Sequence, residues 1–174
     1  QAKTRLTHPT YLASGNTAYR TDILEVYEVG NQGTILASCP VRIYRTPVVF
    51  IHGFVGGLST FESMTSSLVS DNRYPYAPGT VSGSPLLHRV DYTVNSLLRF
   101  HNNRSVVPDA IDYVMQQAIG QGFSCGKATV FGHSMGGILA RLHLYAMNGV
   151  PYREEMNRLV TINTPHRGTQ FANF

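Results

Sequence analysis

At 174 residues the chain is long enough for one domain with a real core, and 43% apolar against 14% charged residues exclude a disordered protein. The net charge of +4 is scattered, with no block of like sign, so the basic footprint of a nucleic-acid-binding protein is excluded. No apolar run approaches the ~20 residues that a membrane-spanning helix needs.

The chain starts at Gln1 instead of Met. That suits a mature secreted protein, whose signal peptide has gone, as well as a trimmed cytosolic one. Cys39 and Cys125 fit one disulfide or two buried thiols, and spacing does not decide between them. There is no internal repeat, and residues 1–174 read as a single domain.

Residues 1–22 are polar and weakly patterned and read as an irregular N-terminal arm. Residues 23–29 and 34–44 alternate loosely around Asn31-Gln32-Gly33 and predict a hairpin. Pro47 opens Val48-Val49-Phe50-Ile51, a continuous apolar run of the kind found in parallel strands buried on both faces. Ser59-Thr60-Phe61-Glu62 has the form of a capping box, with Phe61, Met64 and Leu68 following at helical spacing. Residues 71–85 are rich in Pro, Gly and Ser and predict a loop.

Arg89-Val90-Asp91-Tyr92 predicts a short strand. Pro108 suits a first helical turn, with Ile111, Val114, Met115, Ala118 and Ile119 forming one apolar stripe that Gly120 and Gly122 end. A strand at 128–131, a helix at 134–147 with Ile138, Leu139, Leu142 and Tyr145 inward, and a strand at 159–162 follow. This alternation predicts an α/β fold, a mostly parallel sheet with helices on both faces.

Gly132-His133-Ser134-Met135-Gly136 matches G-x-S-x-G between an apolar strand and an amphipathic helix, the context a nucleophile elbow requires. The turn forces its serine into a strained backbone. Gly132 and Gly136 remove side chains that would collide there, and Gly137 permits close approach of the helix. Ser134 is the expected nucleophile, at a helix N-terminus whose field favours a developing anion. His133 is expected to pack or hydrogen-bond.

His52-Gly53-Phe54-Val55-Gly56-Gly57 follows the first buried strand. A tetrahedral intermediate needs two preorganised donors, and in an elbow enzyme these are backbone amides. Met135, after the serine, and Phe54, after the flexible Gly53, are the candidates for the oxyanion hole. His52 is expected to tie the loop down by hydrogen bonds, not to act as a base.

With Thr161-Ile162-Asn163-Thr164-Pro165-His166-Arg167-Gly168-Thr169, continuing into Gln170-Phe171-Ala172-Asn173-Phe174, these motifs stand in the order seen in bacterial triacylglycerol lipases and related esterases of the α/β-hydrolase superfamily. The sequence resembles them from Pro47 to Phe174, apart from the stretch Asn72 to Arg104. The resemblance implies ester hydrolysis through an acyl-serine intermediate, with no cofactor and no catalytic metal. Some such lipases carry a structural calcium, held by a part of the chain that has no counterpart here.

The fold's triad runs Ser, then Asp or Glu, then His. After Ser134 come only Glu154, Glu155, His143 and His166. The glutamates precede the last strand, at the amino edge of the sheet, and His143 falls deep in the nucleophile helix. His166 stands on the correct edge but lacks an acid to orient it, and in the resembled lipases its segment is structural. The acid and base are therefore expected from further strands beyond Phe174, a remaining C-terminal part of the same protein.

Leu97, Leu98 and Phe100 follow a strand end at the carboxyl edge, where ligands of open α/β sheets bind. They line a substrate path or lid, or they cover the sheet edge as ordinary core. Asp91, at the same edge, is expected to make a fold-stabilising hydrogen bond. The expected partner is a small-molecule or lipid ester, with transient contact to a lipid interface. Acyl transfer, amide or thioester hydrolysis on the same elbow, and a non-catalytic binding module are the alternatives.

Overall fold

The computed structural model describes residues 19–170 apart from 29, 71–85, 99 and 148. Most of the expected N-terminal arm, the loop at 71–85 and the end of the lipase-like segment at 171–174 lie outside the described residues.

Strand β3 (Val48–Ile51) is the centre of the molecule. All four of its side chains are buried, as the unbroken apolar run requires of a strand covered on both faces. It pairs in parallel with β4 (Leu87–Val90) on one side and β5 (Ala128–His133) on the other, and β6 (Met156–Ile162) lies parallel outside β5. Parallel pairing brings every strand's carboxyl end to one edge of the four-stranded sheet.

Helices cover both faces. On one, α3 (Val106–Gly120) and α4 (Met135–Leu144) bury Val107, Ile111, Val114, Leu139 and Ala140 with Val49, Ile51 and Val130. On the other, Phe61 from a 3-10 turn (Leu58–Phe61) and Leu68 from α1 (Glu62–Ser70) pack with Val48, Phe50 and Phe131. Phe50 meets Phe61 and Phe131 at ring-centroid distances of 5.2 and 5.3 Å. Its truncation to alanine would cost about 3–5 kcal/mol, the usual penalty for a buried aromatic ring.

Strands β1 (Tyr19–Glu28) and β2 (Asn31–Tyr44) form an antiparallel hairpin as a separate two-stranded sheet. β1 begins at Tyr19, inside the stretch expected to be irregular. The turn falls between Glu28 and Asn31, which face each other, and not at Asn31-Gln32-Gly33; Gly30 supplies left-handed backbone there at φ +93.

Other boundaries also move. In place of the box expected from Ser59 and Glu62, the turn starts at Gly57, which has no side chain to cap with: its N–H donates to Thr60 Oγ1 at 3.4 Å, and the Thr60 N–H donates to its carbonyl at 3.0 Å. The strand expected at 89–92 is β4, which ends at Val90. α3 closes in a Schellman motif, with Phe123 N–H bonded to Ala118 O and Gly122 N–H to Ile119 O, leaving Ile119 exposed. α4 starts at Met135, with Ser134 as its N-cap, and ends at Leu144 in the same motif, with Ala146 at φ +53 in glycine's usual place. Tyr145 and Met147, expected inside the helix, therefore point out at 64% and 72% exposure. Cys39 and Cys125 are free thiols, one exposed and the other half-buried, so neither expected arrangement is found.

Candidate active site

Gly132 on β5 is flanked by Ile51 on β3 and Thr161 on β6, so the turn after β5 and the loop after β3 leave the same sheet edge together. At that edge Ser134 has φ 51 and ψ −119, a conformation that costs a residue with a side chain on the order of 1–3 kcal/mol. It is held by the Ser134 N–H donating to the Ile162 carbonyl at 2.9 Å.

Glycines make that turn possible. A Cβ on Gly132 would sit 2.5 Å from Gly137 Cα, and one on Gly136 2.3 Å from the Ile51 carbonyl oxygen. One on Gly137 would meet Thr164 Oγ1 at 2.1 Å. Helix α4 thus approaches β5 and the end of β3 backbone to backbone beside the serine, and the Thr164 side chain closes on it from the segment after β6. The Ser134 hydroxyl makes no hydrogen bond to a described residue, and the first turn of α4 lies directly behind it.

The loop after β3 closes the site. A Cβ on Gly53 would lie 2.7 Å from Ser134 Cβ and 3.1 Å from His133 Nδ1, so the loop backbone rests against the serine and the His133 ring packs over it. His52 is buried beneath. Its Nε2 accepts the Tyr92 N–H at 3.3 Å, so its proton sits on Nδ1, which donates to the Gly53 carbonyl at 2.8 Å. The ring stacks on Tyr92 at 4.1 Å, and the Tyr92 hydroxyl donates to the His52 carbonyl. Burial pushes the Tyr92 phenol well above its usual range, so it stays a donor. His52 is an anchor, as expected.

The Gly53 carbonyl also accepts the Gly56 N–H at 3.0 Å. With that oxygen turned into the protein, the planar trans peptide sends the Phe54 N–H the opposite way. Neither the Phe54 nor the Met135 amide is bonded to a described residue. Both expected oxyanion donors are thus free beside Ser134's turn.

No described acid or histidine bonds Ser134. His166 Nδ1 accepts from Arg141 Nη1 at 2.9 Å, which leaves the proton on Nε2, 3.0 Å from Thr161 Oγ1. Both ring nitrogens are engaged away from the serine. His143 is buried at the other side of α4, where Nε2 meets Glu155 Oε1 at 2.7 Å. Burial alone would raise the Glu155 carboxyl, but hydrogen bonds from backbone amides and from His143 outweigh it and hold it below the usual range. Glu154 is exposed, with φ 60.

Asp91, just past β4, accepts from the Thr93 hydroxyl at 2.7 Å and the Thr93 N–H at 3.1 Å, which lowers its pKa and starts helix α2 (Thr93–Ser96). That is the stabilising role expected of it. Leu97 and Leu98 are exposed, and Phe100 largely so, at 64%, 48% and 38%. They do not serve as core. Sequence patterns gave no sign of Ser96, whose buried hydroxyl accepts the Val55 N–H at 3.3 Å from 41 residues away. Among the described residues no three His, Cys, Asp or Glu side chains are grouped to hold a metal.

A strained serine between a parallel strand and a helix, with a glycine loop against it on the same sheet edge, is the α/β-hydrolase arrangement. Within that superfamily the chain belongs to the PGAP1-like alpha/beta domain family, whose model matches residues 42–173. The match spans nearly the stretch that carries the lipase-like motifs. No curated protein matches the chain.

Proposed function

We propose that this hydrolase-fold protein is a serine hydrolase that cleaves carboxylic esters, with Ser134 as nucleophile. The observation that carries the reading is the Ser134 backbone, φ 51 and ψ −119, at the carboxyl edge of the sheet with Gly53 against it. A chain bears that strain only where surrounding contacts over-determine it, and its consequence is a hydroxyl presented clear of the fold.

In the proposed reaction Ser134 Oγ attacks the ester carbonyl carbon and gives its proton to a histidine base. The carbonyl oxygen becomes an oxyanion, accepted by the Phe54 and Met135 amides near the positive end of α4. Collapse expels the alcohol, which takes that proton, and leaves an acyl-serine. Water, deprotonated by the same base, then releases the carboxylic acid and restores Ser134. The base and its orienting acid come from outside the described residues, in keeping with the Ser-acid-His order of the fold. His166 is a poor alternative because Arg141 occupies its lone pair. Leu97, Leu98 and Phe100 offer an apolar approach for an acyl chain, and their exposure suits brief contact with a lipid interface.

Incubating the intact protein with a fluorophosphonate and mapping the modified peptide tests this. Modification confined to Ser134, with turnover of a short-chain activated ester, is expected. No modification would leave a non-catalytic binding module as the better reading. Modification with amide or acyl-transfer turnover but none of esters would reassign the reaction.

A further inference from the structure

We infer that Ser96 is a positioning residue for the proposed reaction, its buried hydroxyl holding the loop that aims the Phe54 amide. The inference rests on the ester-hydrolase reading above and adds a residue outside both motifs.

The loop is a β-turn, Gly53-Phe54-Val55-Gly56, closed by the Gly56 N–H on the Gly53 carbonyl at 3.0 Å. Its third residue, Val55, has φ 56. Turns of this kind give that position to glycine, and a β-branched residue does not hold positive φ unaided. If Val55 relaxed, Gly56 would swing off the Gly53 carbonyl. The Gly53–Phe54 peptide would then be held by the His52 Nδ1 bond alone, and the Phe54 N–H would lose part of its aim.

The restraint comes from α2. Ser96 Oγ donates to the Thr93 carbonyl at 2.7 Å, which turns its lone pairs toward Val55, whose N–H it accepts at 3.3 Å. The Ser96 N–H in turn donates to the Tyr92 carbonyl at 2.8 Å. Tyr92 holds the other end of the loop through both the ring and the carbonyl of His52. One short stretch, Tyr92 to Ser96, therefore pins the residues on both sides of Gly53 and Phe54. Ser96 is fully buried, so its hydroxyl is fixed in place beneath the exposed Val55.

The mechanism has a specific consequence: glycine at position 55 adopts the turn without help and makes Ser96 dispensable. The experiment compares the intact protein with Ser96→Ala and with Ser96→Ala/Val55→Gly, using Ser134→Ala as the blank. The readouts are the rate of fluorophosphonate labelling at Ser134, and kcat and KM for a short-chain activated ester.

Ser96→Ala is expected to lower kcat and the labelling rate by about 10–100-fold, less than outright loss of an oxyanion donor, with KM within about threefold. Adding Val55→Gly is expected to recover most of that loss, which a merely structural role for Ser96 would not produce. The nearly isosteric Ser96→Cys, a weaker acceptor, gives the same comparison if the alanine variant does not fold. Overturning results are a Ser96 variant within about twofold of the parent, or a double variant no better than the single one. A parent unlabelled at Ser134 overturns both this inference and the ester-hydrolase reading. A labelled parent with an indifferent Ser96 overturns this inference alone.

Discussion

Gly53 packs against the Ser134 side chain: a Cβ on Gly53 would stand 2.7 Å from Ser134 Cβ, with the His133 carbonyl 3.3 Å away. The loop that carries one candidate oxyanion donor and the turn that carries the nucleophile therefore form a single packed unit. Gly53→Ala must push them apart. Ester turnover should fall by about 100-fold, as when one oxyanion donor is lost. Stability should fall by about 1–3 kcal/mol, the usual cost of overpacking. Steady-state kinetics and urea denaturation read the two effects separately. Full activity in the variant would show that the loop does not need this approach.

Gly137 and Gly136 are crowded by different kinds of atom. A Cβ on Gly137 meets the Thr164 side chain, Oγ1 at 2.1 Å and Cγ2 at 2.9 Å, whereas one on Gly136 meets the backbone oxygens of Ile51 and His52 at 2.3 and 2.6 Å. Gly137→Ala should therefore destabilise by about 1–3 kcal/mol and be partly rescued by Thr164→Ala, whereas no rescue should reach Gly136→Ala. Denaturation midpoints of the singles and doubles decide it. Equal rescue of both would mean that Thr164 does not hold the elbow.

Much of this was legible in the sequence, and what was not has a physical reason. The buried strand Val48-Val49-Phe50-Ile51 and the elbow Gly132-His133-Ser134-Met135-Gly136 are written in adjacent residues, so local pattern suffices. Helix and turn ends are less readable, because a glycine marks an end only where the backbone there is left-handed. Gly33 lies within β2, while Gly30 makes the turn. At the end of α4, Ala146 takes the left-handed position that glycine normally fills. The contacts of Ser96 with Val55 and of Glu155 with His143 join residues 41 and 12 apart, which no periodicity announces.

The His143–Glu155 pair ties α4 to the start of β6 from inside the core. His143→Ala takes one hydrogen bond from the buried Glu155, which keeps the Arg153 N–H, and empties a fully buried ring site, so it should cost about 2–3 kcal/mol. Because the folded Glu155 pKa is depressed, its contribution is complete above the unfolded carboxyl value of about 4.3 and drains away as pH falls through the lower folded value. Denaturation of parent and Glu155→Gln across pH 3–7 should show a gap that narrows only at the acid end. A gap independent of pH would contradict the pairing.

His166 is held by Arg141 and Thr161, and its loss should alter the segment after β6 more than the chemistry. Turnover by His166→Ala is expected within about threefold of the parent, against the roughly 10⁴-fold or greater fall that follows loss of a triad base. A collapse of that larger size, with the basic limb of the pH profile removed, would identify His166 as the base after all.

Ester turnover of the intact protein with and without Ser134→Ala decides whether Ser134 is the nucleophile of an ester hydrolase. The serine side chain is small and its strained backbone is fixed by neighbouring glycines, so the variant should keep the parent's circular dichroism and melting behaviour. A drop of about 10⁵–10⁶-fold in kcat with the fold retained is expected, leaving only the remnant that the oxyanion site and binding supply. A folded Ser134→Ala protein that kept most of its turnover would contradict that role.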